Sequence, residues 1–278
     1  MTAYMDHKDL ANRTIDQARA SQIRDGVHTV LDRIAKAEAA AGRAEGSVSL
    51  LAATKTRDVG EIMAAIEAGV RLIGENRPQE VEAKAVALQE ECATRGFELA
   101  PRGLALASRA AEPQAAGSRP QGVGFHLIGQ LQANKINKVL GVVETIESVD
   151  SLKLAQRIST RALARGIVAG VFVEVNESGE ESKSGCDPEA ACDLVHEIDR
   201  LDGVRVEGLM TIGAHVDDET RIRRGFAHLR ELRDSLRREV PTCTQLSMGM
   251  TNDLEYAVAE GSTIVRVGTA VFGPRAFI

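Results

Sequence analysis

Eight short apolar runs, each followed by a stretch of helical periodicity, predict an α/β protein: a single (β/α)8 TIM barrel preceded by an extra N-terminal helix. Three observations carry that expectation. Strands alternating with helices imply parallel pairing through right-handed crossovers. Eight such units within 278 residues match the size of a barrel. No GxGxxG follows the first run, where an open doubly wound sheet would often carry one.

The units follow in order. Residues 9–41 read as one or two helices, "IRDGVHTVLDRIAKAEAAAG" being the clearest. "VSLLAAT" (48–54) is the first strand, and "DVGEIMAAIEAG" (58–69) places Ile62, Ala65 and Ile66 on one helix face. "RLIGEN" (71–76) leads into a helix over 77–96, and "GFHLIGQ" (124–130) into "ANKINKVLG". "VETIESVD" (143–150) leads into 151–166, "VAGVFVEVN" (168–176) into 187–203, and "VRVEGLMTIG" (204–213) into 218–239. "TQLSMGM" (244–250) leads into "DLEYAVAEG", and "TIVRVGTAVFG" (263–273) ends the series. Residues 1–26 are expected as an N-terminal tail and helix, and 27–278 as the barrel. Residues 97–123, rich in Ala, Gly, Pro, Ser and Arg without a steady period, read as an irregular insertion.

Composition narrows the function classes. A net charge of -6 argues against a nucleic-acid partner, and 2 Tyr, 6 Phe and no Trp offer little stacking surface. No apolar run approaches the roughly 20 residues of a membrane span, and the N-terminus lacks a signal core, so a cytoplasmic protein is expected. Cys92, Cys186, Cys192 and Cys243 form no CxxC pair, and no HExxH occurs, so reduced thiols and no metal are expected.

In such a barrel, functional residues gather at the C-terminal ends of the strands. Lys55 ends the first strand and Asn76 the second. An ammonium there either snorkels to solvent or loses proton affinity and serves as a nucleophile. "SMGMTND" (247–253) and "VRVGTAVFG" (265–273) are the last two strand-to-loop turns, where barrels often bind phosphate. Ser247 and Thr269 supply hydroxyls, and Gly249 and Gly268 allow close backbone approach. Each fragment also reads as an ordinary turn or N-cap. Arg266, inside an apolar strand, needs a partner such as Glu174 or Glu147, or binds a ligand. His126 reads as a satisfied core histidine.

The segments "LLAATKT", "IGENRPQE", "FHLIGQLQANKINKVL", "VFVEVNESGEESKSG", "VEGLMTIGA" and "LSMGMTNDLEYAVAEGSTIVRVGTAVFG" resemble, in family order, the YggS/PROSC family of pyridoxal 5'-phosphate (PLP) homeostasis proteins. That family has the fold of the alanine racemase N-terminal domain. The resemblance implies that Lys55 forms a Schiff base with PLP and Asn76 lies near its ring. It further implies that Ser247, Gly268 and Thr269 hold the phosphate, and that Arg266 faces the pyridine nitrogen, which suits a carrier better than a transaminase. Two departures stand out: the insertion at 97–123 is longer than usual, and Thr251 replaces a common serine. Alanine racemases use a tyrosine as the opposite-face base; here only Tyr4 and Tyr256 occur, and neither is well placed. The implied function is therefore intracellular PLP buffering or delivery without catalytic residues, by a monomer or weak homodimer serving apo PLP-dependent enzymes. A low-activity PLP-dependent amino-acid racemase is the alternative, and a phosphate-metabolite barrel enzyme without PLP a third class.

Overall fold

A computed structural model describes residues 9–100, 121–180, 184–213, 216 and 218–274. Eight parallel strands close into a barrel: β1 (Ser49–Ala53), β2 (Leu72–Glu75), β4 (Gln121–Leu127), β5 (Thr145–Val149), β6 (Ala169–Glu174), β7 (Val204–Met210), β8 (Gln245–Ser247) and β9 (Ile264–Val267). They are the eight predicted runs. β1 lies between β2 and β9, and the circle closes where β2 pairs with β4, Leu72 opposite Gly124 and Glu75 opposite Leu127.

The helices are α1 (Gln17–Ala40), α2 (Val59–Glu67), α3 (Pro78–Thr94), α4 (Ile136–Val139), α5 (Leu152–Ala164), α6 (Ala191–Asp199), α7 (Glu219–Leu236), α8 (Leu254–Ala259) and α9 (Thr269–Phe272). Their starts are chemically marked. Asp16 caps α1 by accepting from Arg19 N, and Asp58 with Glu61 forms a reciprocal capping box on α2. Ile23, Val27, Val30 and Ile34 recur at helical spacing and are buried. This stripe packs α1 against α2, α8 and α9. α1 runs unbroken across residues 26 and 27.

The segment expected to be irregular begins with β3 (Phe97–Leu99), which pairs in parallel with Gln121–Val123 of β4 outside the closed circle. Apolar Phe97 and Leu99 alternate with Glu98, a strand signal too short to stand out against the composition around it. The rest of that expectation, 101–120, falls outside the described residues.

Strand alternation separates two cores. Outward residues such as Ala52, Ile73, Phe125, Val171 and Val265 pack beneath the helices. The inward apolar set is small: Leu51, Leu72, Phe172, Met210 and Ile264, with Ile128 against it. Barrel interiors usually carry full layers of branched apolar residues. Here much of the interior is polar. Leu51→Ala is expected to cost about 2–5 kcal/mol in urea unfolding. Leu163→Ala on the half-exposed face of α5 should change stability by no more than about 0.5 kcal/mol.

Candidate functional site

Three adjacent strand ends form the core of the site. Ala53 of β1 pairs with Gly74 of β2, and Ala52 pairs with Val267 of β9. Lys55, Asn76 and the Gly268–Thr269 pair therefore stand in a row on the C-terminal rim. Lys55 is half-buried. Asn76 presents a buried Oδ1 with no hydrogen-bond partner among the described residues. Gly129 lies hard against it: a Cβ there would come within 2.2 Å of the Asn76 carbonyl oxygen, so only glycine admits this approach. Ser148 Oγ donates to the Gly129 carbonyl at 2.7 Å and holds that turn.

Both neighbours of Lys55 are clamped to the second unit. Lys84, wholly buried on α3, donates to the Thr54 carbonyl at 3.0 Å and to Glu75 Oε1. It also lies 3.6 Å from Glu80. Thr54 Oγ1 donates to Glu75 at 2.7 Å. On the other side, Thr56 N donates to Glu80 Oε2 at 2.7 Å. Thr56 sits at φ +65°, a left-handed conformation costing a non-glycine residue about 1–2 kcal/mol. The Glu80 contact offsets that strain. Burial pushes the Glu75 carboxyl up to about 7, against the pull of Lys84.

Beneath the rim, a polar column runs through the barrel. Arg266 donates to the Ser247 carbonyl and hydroxyl, both at 2.7 Å, and to the Thr211 carbonyl at 2.7 Å. Ser247 Oγ donates to Glu147 at 2.6 Å. Glu147 Oε1 meets His126 Nδ1 at 2.6 Å, and Glu144 lies 3.8 Å from His126 Nε2. Burial opposes charge on His126, but Glu144 and Glu147 outweigh it and raise the imidazole to about 9. Burial raises the Glu147 carboxyl, yet His126, Arg266 and Ser247 bring it below its ordinary value. Glu174, at the end of β6, is pushed up to about 7 by burial and by Asp150, with Arg266 opposing. The two readings of Arg266 thus meet a third arrangement: it reaches Glu147 through the Ser247 hydroxyl. His126 is the satisfied core histidine at Nδ1.

A cleft of about 920 Å3 opens beside β9, lined by Gly213, Thr251, Asn252, Asp253, Tyr256 and Thr269 among others. Of the predicted residues it contains Thr269. Ser247 and Arg266 lie deeper, within the barrel wall. Thr251 and Asn252 line the cleft ahead of α8, whose N-cap position is taken by Asp253. Lys84, Glu75 and Glu80 had no assigned role, although the Glu80–Lys84 spacing of four on one helix was a signal. Arg223 covers the Tyr256 ring at 4.8 Å, and Glu219, by charge and then by hydrogen bonding, raises the Tyr256 hydroxyl above its usual range. All four thiols are free. Burial pushes Cys92 up to about 11 and Cys186 and Cys243 to about 12, and Cys192 moves the same way. Among the described residues no group of three His, Cys, Asp or Glu side chains could hold a metal ion.

Comparisons with known proteins converge. Residues 30–276 match the family described as alanine racemase, N-terminal domain. A pyridoxal phosphate homeostasis protein of Aquifex aeolicus is 38% identical over 249 residues, covering 89% of this chain and 96% of that one. The crystal structure of an unknown protein from Bifidobacterium adolescentis is 62% identical with a TM-score of 0.87, covering 95% of this chain and all of that one. PipY of Synechococcus elongatus, solved with PLP bound, is 31% identical with a TM-score of 0.65, covering 86% of this chain and all of that one.

Lys84→Met should cost about 3–5 kcal/mol in urea unfolding, because it strands two buried carboxylates. Adding Glu75→Gln should recover part of that loss. The His126 pKa is raised above its unfolded value, so its stabilisation is complete below about pH 6.5. It is lost as pH rises toward about 9. Nitrogen-15 NMR should find one imidazole doubly protonated at neutral pH and titrating near that upper value.

Proposed function

The chain belongs to the alanine racemase N-terminal domain family, among the pyridoxal phosphate homeostasis proteins, and on that premise we propose that it binds PLP through Lys55 and buffers or delivers it without strong catalysis of its own. The observation that carries this reading is the row of Lys55, Asn76 and Gly268–Thr269 on three neighbouring strands, with the buried Asn76 Oδ1 left unpartnered. That orphaned acceptor at one end of the row, and the cleft that Thr269 lines at the other, suit a flat polar ring carrying an anion. When bound, PLP supplies an aldehyde that condenses reversibly with an amine.

The residues divide the work. Lys55 supplies the amine, held in place through Thr54 and Thr56. Asn76 orients the ring from the β2 side. Thr269 offers a hydroxyl to the phosphate, and Gly268 brings its backbone to the rim beside β1. Thr251 shares the cleft with Thr269 and is better placed for an anion than the Ser247 hydroxyl, which is committed to Glu147. Ser247 and Arg266 act from beneath as a pair. Arg266, anchored to Ser247 and Thr211, would supply positive charge that disfavours protonation of a bound pyridine nitrogen, which suits a carrier.

A racemase requires a base on each face of the substrate carbon. Tyr256 lines the cleft, but Glu219 holds its proton more firmly than usual, so it is a poor base. This supports the carrier reading, with apo PLP-dependent enzymes as recipients and a monomer or weak homodimer as the working form. Among the described residues, no helix is long and apolar enough to cross a membrane.

Borohydride reduction of the PLP-loaded protein, followed by peptide mapping, should place a pyridoxyl group on Lys55. Lys55→Ala should lose the label and bind PLP at least about tenfold more weakly. Label on another lysine would overturn the assignment. In heavy water the loaded protein should leave the α-hydrogen of amino acids unexchanged; rapid exchange would favour the racemase.

A further inference from the structure

The opposite, N-terminal mouth of the barrel holds a second cavity, of about 480 Å3, within the range of small-molecule sites. That end of a barrel ordinarily serves stability. This one is built otherwise. His126, Arg205 and Glu207 line it together with Leu72, Phe172 and Ile264. The imidazole is almost wholly buried, and its Nε2 has no hydrogen-bond partner among the described residues, with the Glu144 carboxylate standing off at 3.8 Å. A buried, unsatisfied donor is costly and marks a place for an acceptor.

Glycines make the space. A Cβ at Gly124 would come within 2.6 Å of the Glu144 carboxylate, and one at Gly170 within 2.5 Å of Glu207. Two inward strand positions are therefore kept bare so that two carboxylates can turn into the barrel. Glu207 is fixed by Thr145 Oγ1 at 2.9 Å and by Arg205 Nε at 3.1 Å. Arg205 remains 41% exposed, so the guanidinium stands at the mouth.

Charge balance selects the ligand. His126 and Arg205 face Glu144 and Glu207, and Glu147 is answered by Arg266 through Ser247. The cavity is near electrical neutrality. A lone anion or cation entering it would carry an uncompensated charge into a poorly solvated space. A zwitterion would not. Its carboxylate fits the Nε2–H and guanidinium side, its ammonium the carboxylate side, and an aliphatic tail the floor of Leu72, Phe172 and Ile264. We propose that the N-terminal mouth of the barrel is a binding site for a free α-amino acid with an aliphatic side chain, separate from the Lys55 site.

The test uses the full chain freed of PLP, so that no amino acid can condense with the cofactor. L-leucine is titrated by calorimetry and by the side-chain NMR signals of His126. A saturable heat with a matching shift at His126 is expected. 4-Methylpentanoate, lacking the amine, and 3-methylbutylamine, lacking the carboxylate, should each bind at least about tenfold more weakly. Arg205→Ala, at a half-exposed position and checked for folding by circular dichroism, should weaken L-leucine by about tenfold or more. Lys55→Ala should leave it unchanged, which keeps this outcome independent of the PLP assignment. No saturable shift at His126, a cavity filled by water alone, would overturn the proposal. So would equal binding of 4-methylpentanoate and L-leucine, or L-leucine binding lost in Lys55→Ala but kept in Arg205→Ala.

Discussion

Closure of the barrel depends on one pairing, β2 with β4, made across the chain excursion that contains β3. A parallel sheet left open at that point would expose two edges and an interior full of charge. β1 itself has β2 on one side and β9 on the other. The rim positions that follow those three strands then fall side by side, although 213 residues separate Lys55 from Gly268 in sequence. Glu75, the last residue of β2, faces Leu127 across the closing pair and meets Lys84 of the helix that follows its own strand.

The polar interior follows a consistent electrostatic rule. In the column, His126, Glu147 and Arg266 each have an opposite neighbour or a hydroxyl bridge to one. Arg266, Ser247, Glu147 and His126 form a continuous chain of hydrogen bonds from the upper wall toward the lower mouth. Removing any single member leaves another charge uncompensated, which is far more costly than the pair is stabilising. Such a column trades stability for placement: a guanidinium delivered to a fixed height beneath the rim. Among the described residues near the rim, burial brings the carboxyls of Glu75 and Glu174 up to about 7.

The barrel was legible because its signal is repetitive: eight β-branched runs, each answered by a helix, survive errors at any one boundary. The rim residues were legible for a related reason, since strand ends are where barrels place their chemistry. Three features were hidden. Phe97–Leu99 offers three residues of alternation, too few to read against the Ala- and Gly-rich stretch that follows. Lys84 looks like any surface lysine on an amphipathic helix, and only the packing of that helix over the ends of β1 and β2 buries it against Thr54 and Glu75. Ser247 carried the right chemistry for an anion, but nothing in "SMGMTND" indicates that its hydroxyl turns inward to Glu147 while Thr251 lines the cleft. Orientation of a side chain across a strand depends on register, and register is set by partners distant in sequence.

The four cysteines gain meaning beside a reactive carbonyl. Thiolates attack aldehydes readily, and a protein that houses an aldehyde risks modifying itself. Burial keeps Cys92, Cys186 and Cys243 protonated far above neutral pH, with Cys192 displaced in the same direction. Sulfur nucleophilicity is thereby held low wherever the four thiols sit in the fold.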